Sequence, residues 1–173
     1  MPRKARVAIL MGSDSDLPVM ADSVRILELY GVPYVVKVLS AHRSPDHAAR
    51  FARGAEAAGF RVIICGAGAA AHLAGSVAAQ TILPVIGVPL AGSPLGGFDS
   101  LLSTVQMPPG IPVATMGVGS MGAKNAGHLA VEILALSDAA LRRKLRQRRG
   151  LMTNDVLEAS TTVSAKLKKL LKA

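Results

Sequence analysis

Aromatic side chains are scarce in this chain of 173 residues, which contains no Trp, two Tyr and three Phe. Proteins that bind single-stranded nucleic acids stack the bases on aromatic side chains, so the composition disfavours nucleic acid as a partner. The single cysteine, Cys65, excludes an intrachain disulfide and lacks the partner ligands of a structural zinc site. These shortages predict a core of aliphatic side chains and Met, and they favour a reducing compartment, the cytoplasm.

Long apolar segments are missing as well. Residues 62–98 carry no charged side chain, but Gly66, Gly75, Pro84 and further glycines and prolines divide this stretch into pieces too short to cross a membrane. Near the start of the chain, only five apolar residues precede Gly12, which is fewer than a signal peptide needs. We therefore expect a soluble, cytoplasmic protein without membrane contact.

Acidic residues are few in the last part of the chain, where most of the net charge of +9 resides. Residues 138–173 hold ten Lys and Arg against three Asp and Glu, whereas residues 1–137 hold ten against eight. A basic segment is compatible with nucleic-acid binding, but no aromatic residue is interleaved with these charges. We therefore interpret the segment as a helix with a solvated basic face.

Five short apolar runs predict β-strands, and helix-like segments follow each of them. The runs are almost continuously apolar, which is typical of parallel strands buried on both faces. Repeated alternation of strand and helix predicts an open parallel α/β sheet with helices on both faces. The predicted strands are Val7–Met11, Tyr34–Leu39, Val62–Cys65, Val85–Val88 and Pro112–Met116. The predicted helices are Leu17–Tyr30, Pro45–Ala58, Ala71–Thr81, Asp99–Val105 and Ala123–Leu136.

The remainder of the chain is predicted to be partly helical. Asp138–Arg149 forms a sixth predicted helix, which Ser137 or Asp138 caps and Gly150 ends. The segment Leu151–Ala173 has apolar residues on a basic background. Its pattern fits either a helix docked on the body or on a neighbouring subunit, or a frayed tail.

Chemically distinctive residues follow the first three predicted strands. We call these segments the first loop (Gly12–Asp16), the second loop (Ser40–Pro45) and the third loop (Gly66–Leu73). Parallel strands all end at the same edge of a sheet, and ligands of open α/β sheets bind beyond that edge. We therefore expect the three loops to form one site, although they are far apart in sequence.

The first loop has the composition of a phosphate and ribose site. Ser13 and Ser15, together with backbone N–H groups at a helix start, suit a phosphate, and Asp16 suits ribose hydroxyls. Alternatively, Asp14 or Asp16 only caps the helix that opens at Leu17. No third hard ligand accompanies these carboxylates, so a metal site is disfavoured.

The second and third loops add a proton carrier, a cation and an accessible backbone. Arg43 can bind a phosphate through its planar fork, and His42 can carry a proton near neutral pH. Ser44 is predicted to cap the helix that Pro45 opens. The third loop has small side chains, so its backbone can approach a flat or anionic group. The alternatives are a surface role for His42, close helix–sheet packing for the third loop, and a cap or interface hydrogen bond for His72.

The joint pattern resembles the bacterial-type N5-carboxyaminoimidazole ribonucleotide mutase family of purine biosynthesis. The similarity rests on Gly-Ser-Asp-Ser-Asp, Ser-Ala-His-Arg-Ser-Pro and the Gly/Ala-rich third loop in that order, followed by the segments at 99–108 and 122–126. It implies one mutase-like α/β domain over residues 1–158 and a basic C-terminal tail over residues 159–173. It also implies a flavodoxin-like three-layer α/β/α sandwich with a five-stranded parallel sheet and C-terminal helices. The implied assembly is a homo-octamer.

The resemblance implies an isomerase that moves a carboxylate from N5 to C4 of an aminoimidazole ribonucleotide without metal or cofactor. The implied substrate-binding residues hold three parts of this small molecule: Ser15, Ser40 and Arg43 the 5′-phosphate, Asp16 the ribose, and Ser13, Gly68, Ala69 and Leu73 the base and the migrating carboxylate. His42 is the implied proton carrier, and His72 supports it close to the site.

Two residues depart from the family pattern. Ala69 stands where family members usually have a Gly, and Ala74 stands where they have a Pro. A positive φ at residue 69 would strain an alanine. The animal-type sister, a carboxylase that uses free carbon dioxide, typically has Lys in place of Arg43 and lacks the Ala-His-Leu segment, so this chain is similar to the mutase on both points.

A second functional interpretation is a non-catalytic flavodoxin-like module that binds a mononucleotide or flavin. The shortage of aromatic side chains disfavours a flavin, and a yellow purified protein would favour it. The predicted helix Ala71–Thr81 has no charged face, so we further expect it to be buried between subunits.

Overall fold

The computed structural model describes residues 6–171, which form one compact unit ending at Leu134 and a second beginning at Ala135. The first unit contains a five-stranded parallel sheet with strand order β2-β1-β3-β4-β5. Its strands are β1 Val7–Met11, β2 Tyr34–Val38, β3 Val62–Gly68, β4 Val85–Leu90 and β5 Ala114–Thr115. Its helices are α1 Leu17–Tyr30, α2 Pro45–Ala58, α3 Leu73–Ala78, α4 Phe98–Val105 and all but the last residue of α5 Ser120–Ala135.

Helices cover both faces of the sheet, which confirms the predicted flavodoxin-like three-layer sandwich. On one face α1 packs against α5, where the Ser23 hydroxyl donates a hydrogen bond of 2.6 Å to the Ala123 carbonyl. On the other face α2 and α3 share an apolar cluster with the sheet that includes Ala52, Val77 and Cys65. Most buried core side chains are aliphatic, as the shortage of aromatic residues predicted, and Tyr30 and Phe60 are the buried aromatic residues among those described.

The central strands and the edge strands differ in burial. Every residue of β1 and β4 and the first five of β3 are buried, as their continuous apolar runs predicted. The prediction of burial on both faces is wrong for β2, where Val38 is 53% exposed. β2 is an edge strand with a neighbour on one side only. The other edge strand, β5, pairs only two residues with β4, so it is shorter than predicted.

Three helices of this unit differ from their predicted bounds: α3 and α5 at both ends, and α4 at its start, which lies one residue earlier at Phe98. The third predicted helix is shortened to α3, because the residues before Leu73 form an irregular loop. Four of its six residues are buried within their own chain, so burial between subunits is not needed to explain the missing charge. Helix α5 begins at Ser120, three residues earlier than predicted.

The second unit contains one long helix, α6, which spans Ala139–Leu170. Asp138 caps it, since its carboxylate accepts hydrogen bonds of 3.1 Å from the N–H groups of Ala140 and Leu141. The prediction that Gly150 ends this helix is wrong. A glycine inside a helix costs only about 1 kcal/mol relative to alanine, and good helix formers flank this one. Of the two alternatives for Leu151–Ala173, a helix or a frayed tail, the structure shows a helix as far as Leu170.

The predicted boundary between residues 1–158 and the tail 159–173 falls inside α6 and stays a prediction. The outer ends of both segments, residues 1–5 and 172–173, lie outside the described residues. Within residues 6–171, no helix is both long enough and apolar enough to cross a membrane.

Candidate active site

The first three loops meet at the carboxyl edge of the sheet, as the strand order predicted. Strands β1, β2 and β3 lie side by side, so the loops that follow them become neighbours. They surround a cavity of about 370 Å³. All ten residues proposed from the sequence line it: Ser13, Ser15, Asp16, Ser40, His42, Arg43, Gly68, Ala69, His72 and Leu73.

The first loop is a 3₁₀ turn closed by its own side chains. Asp16 accepts a hydrogen bond of 3.1 Å from the Ser13 N–H, and the Ser13 hydroxyl accepts one of 3.3 Å from the Ser15 N–H. The Ser15 hydroxyl donates to the Ser13 hydroxyl at 2.9 Å. Asp16 directly precedes α1 but makes no capping bond to that helix, so the capping alternative does not describe it. Its carboxylate is instead held at the cavity wall.

Burial at this wall raises the pKa of Asp16 above its ordinary value. Hydrogen bonds from the backbone of Ser13 and Gly12 oppose the shift, as does the charge of Arg43. The carboxylate is therefore partly desolvated, so a ribose hydroxyl could donate a hydrogen bond to it with little further loss of water.

The second loop is held by two serine hydroxyls. Ser40 Oγ accepts hydrogen bonds from the N–H groups of His42, at 3.3 Å, and Arg43, at 3.1 Å. Ser44 Oγ accepts from the Ser40 N–H at 3.0 Å. Ser44 stands at the N-cap of α2, as predicted, but its hydroxyl makes no capping bond and is used inside the loop. These bonds fix the backbone that carries His42 and Arg43.

Arg43 links the second loop to the first. Its Nη2 donates a hydrogen bond of 2.7 Å to the Gly12 carbonyl. The guanidinium group has five N–H donors, so this bond leaves others for a ligand. The cation is thus oriented at the cavity by the protein itself.

His42 and His72 contact each other directly. The His42 Nε2 and the His72 Nδ1 are 2.8 Å apart, and the rings pack edge to face with centroids separated by 4.9 Å. One nitrogen must donate and the other accept, so a single proton lies between them. His72 stands just before α3 but makes no capping bond to it. The cap alternative for His72 is therefore wrong.

The third loop has two distinct parts. A Cβ atom at Gly66 would come within 2.3 Å of the Met20 sulfur, so the Met20 side chain of α1 packs closely on this glycine of β3 and would have to move for a larger residue. Further along, Gly68 and Ala69 line the cavity, and Ala69 has a φ of 51°. It is the one non-glycine residue with a positive φ among residues 6–171. Packing thus accounts for the start of the loop, and ligand approach stays a prediction for the part that lines the cavity.

Three features of the site were not predicted. The bond between the two histidines joins residues 30 positions apart, and the Arg43 bond to the Gly12 carbonyl spans 31. Contacts between residues so far apart in sequence cannot be predicted from local spacing. The third feature is Ser103 of α4, whose hydroxyl accepts a hydrogen bond of 3.1 Å from the Ala71 N–H. Within residues 6–171, no three His, Cys, Asp or Glu side chains come together as metal ligands would.

A sequence model described as AIR carboxylase matches residues 6–155 of the chain. The chain belongs to the AIR carboxylase family. Relatives of this family member include the N5-carboxyaminoimidazole ribonucleotide mutase of Pyrococcus abyssi, which is 56% identical over 144 residues, or 83% of this chain and 82% of the relative. The Escherichia coli K12 protein of the same name is 52% identical over 154 residues, or 89% and 91%.

A solved structure supports the same assignment. Treponema denticola PurE matches this AIR carboxylase family member with a TM-score of 0.82 and 26% identity, over 91% of this chain and 98% of that one. The five-stranded sheet and its flanking helices are therefore the fold of this family. The family resemblance inferred from the loop motifs is confirmed.

Proposed function

We propose that this enzyme converts N5-carboxyaminoimidazole ribonucleotide to 4-carboxy-5-aminoimidazole ribonucleotide, an isomerisation in purine biosynthesis. The observation that carries the proposal is the histidine pair, His42 and His72, within 2.8 Å at a cavity whose other loops suit a ribose phosphate. A mutase of this kind needs one group that first gives and then takes a proton, next to an anchored nucleotide.

The polar end of the cavity binds the 5′-phosphate and the ribose. Arg43 donates one hydrogen bond to the Gly12 carbonyl. Its remaining N–H donors bind the phosphate together with the hydroxyls of Ser15 and Ser40. Asp16 accepts hydrogen bonds from the ribose. These contacts hold the aminoimidazole ring at a fixed position, so less conformational and translational freedom is lost in the chemical steps themselves.

The remaining lining of the cavity receives the base and the migrating carboxylate. Here the third loop presents the backbone of Gly68 and Ala69 and the side chain of Leu73, with Ser13 from the first loop. Small side chains let the planar ring approach closely, and the apolar surface limits the water around carbon dioxide.

Carboxylate transfer takes place in two steps. His42 as an imidazolium donates its proton to N5, the N5–C bond breaks, and carbon dioxide and the neutral aminoimidazole result. C4 then attacks carbon dioxide to form the new C–C bond, and neutral His42 removes the C4 proton. The proton count returns to its starting value, so the cycle needs no metal, nucleoside triphosphate or flavin.

His72 has a supporting role in this cycle. Its Nδ1 holds the His42 ring by the hydrogen bond of 2.8 Å. This bond orients the ring that exchanges protons with the substrate, and it keeps the neutral ring in place between the two steps.

The enzyme acts as a cytoplasmic homo-octamer in this proposal. Large apolar side chains remain exposed in the single chain, including Ile82 at 86%, Phe98 at 63% and Met121 at 76%. Association would remove them from water. Sedimentation at micromolar concentration tests the assembly, and a stable monomer would contradict it.

The activity is tested with N5-carboxyaminoimidazole ribonucleotide in degassed buffer without ATP or bicarbonate. We expect stoichiometric formation of the C4-carboxylated product, unchanged by a chelator. A parallel reaction with 5-aminoimidazole ribonucleotide and ¹³C-bicarbonate measures direct carboxylation. Turnover that requires added bicarbonate would show that the enzyme is a carboxylase and not a mutase. Binding of the nucleotide without conversion would support the non-catalytic module.

A further inference from the structure

Ala69 holds an unfavourable backbone conformation beside the candidate catalytic pair. Its φ of 51° lies in the left-handed region, which alanine rarely adopts. Such a conformation persists only where surrounding contacts enforce it. We call the bend that this conformation produces in the backbone the Ala69 kink. His72 follows three residues later, so the geometry of the kink decides where the His72 ring lies.

Ser103 of α4 supplies the contact that holds the kink. Its Oγ accepts a hydrogen bond of 3.1 Å from the Ala71 N–H and lies 3.3 Å from the Ala69 carbonyl oxygen. The single hydroxyl proton has three acceptors within reach: this oxygen, the Asp99 carbonyl of α4 at 2.7 Å and the Ser100 carbonyl at 3.3 Å. One side chain thus contacts the backbone on both sides of Ala70.

The contact continues toward the histidines through short links. The His72 N–H donates to the Ala70 carbonyl at 2.8 Å, and the His72 ring meets His42 at 2.8 Å. The Ala71 side chain is buried, which leaves this residue little freedom to move. A loosened kink would therefore displace His72 first and the His42 ring with it.

We propose that Ser103 is a positioning residue for the carboxylate transfer, which acts by fixing the Ala69–Ala71 turn and through it His72. This inference rests on the proposed role of the histidine pair. Ser103 is not among the residues that line the cavity, so we assign it no contact with the substrate. Its effect passes through the third loop alone, because its described hydrogen bonds reach neither the first nor the second loop.

The test compares Ser103→Ala with Thr104→Val on the same helix. The Thr104 hydroxyl donates to the Ser100 carbonyl within α4 and is buried, so its removal changes the helix without touching the third loop. We expect Ser103→Ala to lower kcat by roughly tenfold or more, since a small misplacement of a reacting group is costly. KM should change by less than about threefold, because the phosphate and ribose contacts are intact. Thr104→Val should retain kcat.

A double variant separates positioning from general loss of stability. Glycine adopts a positive φ without strain, so Ala69→Gly added to Ser103→Ala should restore much of the lost kcat. The pH profile of kcat should shift in Ser103→Ala and return in the double variant. Unchanged kcat and pH profile in Ser103→Ala, equal losses in Thr104→Val, or no recovery in the double variant would each overturn the proposal.

His42→Asn in the same assay separates this inference from the proposed function. If His42→Asn loses turnover while Ser103→Ala keeps it, the histidine chemistry stands and Ser103 has no positioning role. If His42→Asn keeps turnover, the proposed chemistry itself fails, and the inference about Ser103 fails with it.

Discussion

Replacing His42 by Asn tests the proposed proton transfer most directly. The His42 ring reaches His72 through Nε2, at 2.8 Å, whereas an asparagine amide is shorter and ends near the position of Nδ1. His42→Asn thus removes both the proton carrier and its bond to His72. His42→Gln extends further, so its amide can restore a hydrogen bond to His72 without carrying a proton near neutral pH.

We expect both variants to lose turnover by ~10²-fold or more, the usual contribution of a general acid–base group. This loss corresponds to about 2.7 kcal/mol in the activation barrier. Nucleotide binding should stay close to that of the parent enzyme, because Arg43, Ser40 and Asp16 keep their own hydrogen bonds. Product formation and equilibrium binding are measured side by side. Near-normal turnover in His42→Asn, combined with its loss in His72→Asn, would reverse the assigned roles and refute the reasoning.

Three further substitutions or reactions test other parts of the structure. Arg43→Lys should weaken nucleotide binding by ~1–2 kcal/mol, because a lysine ammonium lacks the planar fork that binds the Gly12 carbonyl and a phosphate together. Unchanged affinity in a binding titration would show that Arg43 does not bind the phosphate. Hydrogen bonds from the Ser120 hydroxyl and Arg25 lower the pKa of the Asp22 carboxyl from its ordinary value of 3.8. The ionised carboxylate therefore stabilises the fold above pH 3.8, and this stabilisation is lost as the pH falls through the lowered pKa. Asp22→Asn should therefore cost about 2 kcal/mol in urea unfolding at pH 7 and less near pH 3, and an equal cost at both would contradict this. Burial raises the pKa of the Cys65 thiol, so a thiol reagent should label it only in denaturant, and rapid labelling of the native enzyme would contradict its burial.

The sequence predicted the sheet because burial on both faces leaves a clear pattern. β1, β3 and β4 are continuous apolar runs, and each is a central strand. Edge strands have no such requirement, which is why β2 is more exposed and β5 shorter than predicted. A glycine is a weak stop signal, so Gly150 did not end α6.

The composition of the candidate site could also be predicted, but its internal bonds could not. Parallel strands bring their loops to one edge whatever the loops contain, so the three loops could be selected, and the resemblance to the mutase family supplied the individual residues. The pairing of His42 with His72 depends on the exact path of the third loop, and on a kink at Ala69 that local preferences oppose. Contacts between loops of this kind arise from the folded chain as a whole.

The two rings of the histidine pair are exposed to solvent in the single chain. Carbon dioxide is small and uncharged, so no hydrogen bond or ion pair retains it between the two chemical steps of the proposed reaction. The outcome then depends on competition between attack by C4 and escape into solvent. Escape would release 5-aminoimidazole ribonucleotide as a by-product, and the ratio of the two products would measure how well the bound substrate and its surroundings close the cavity.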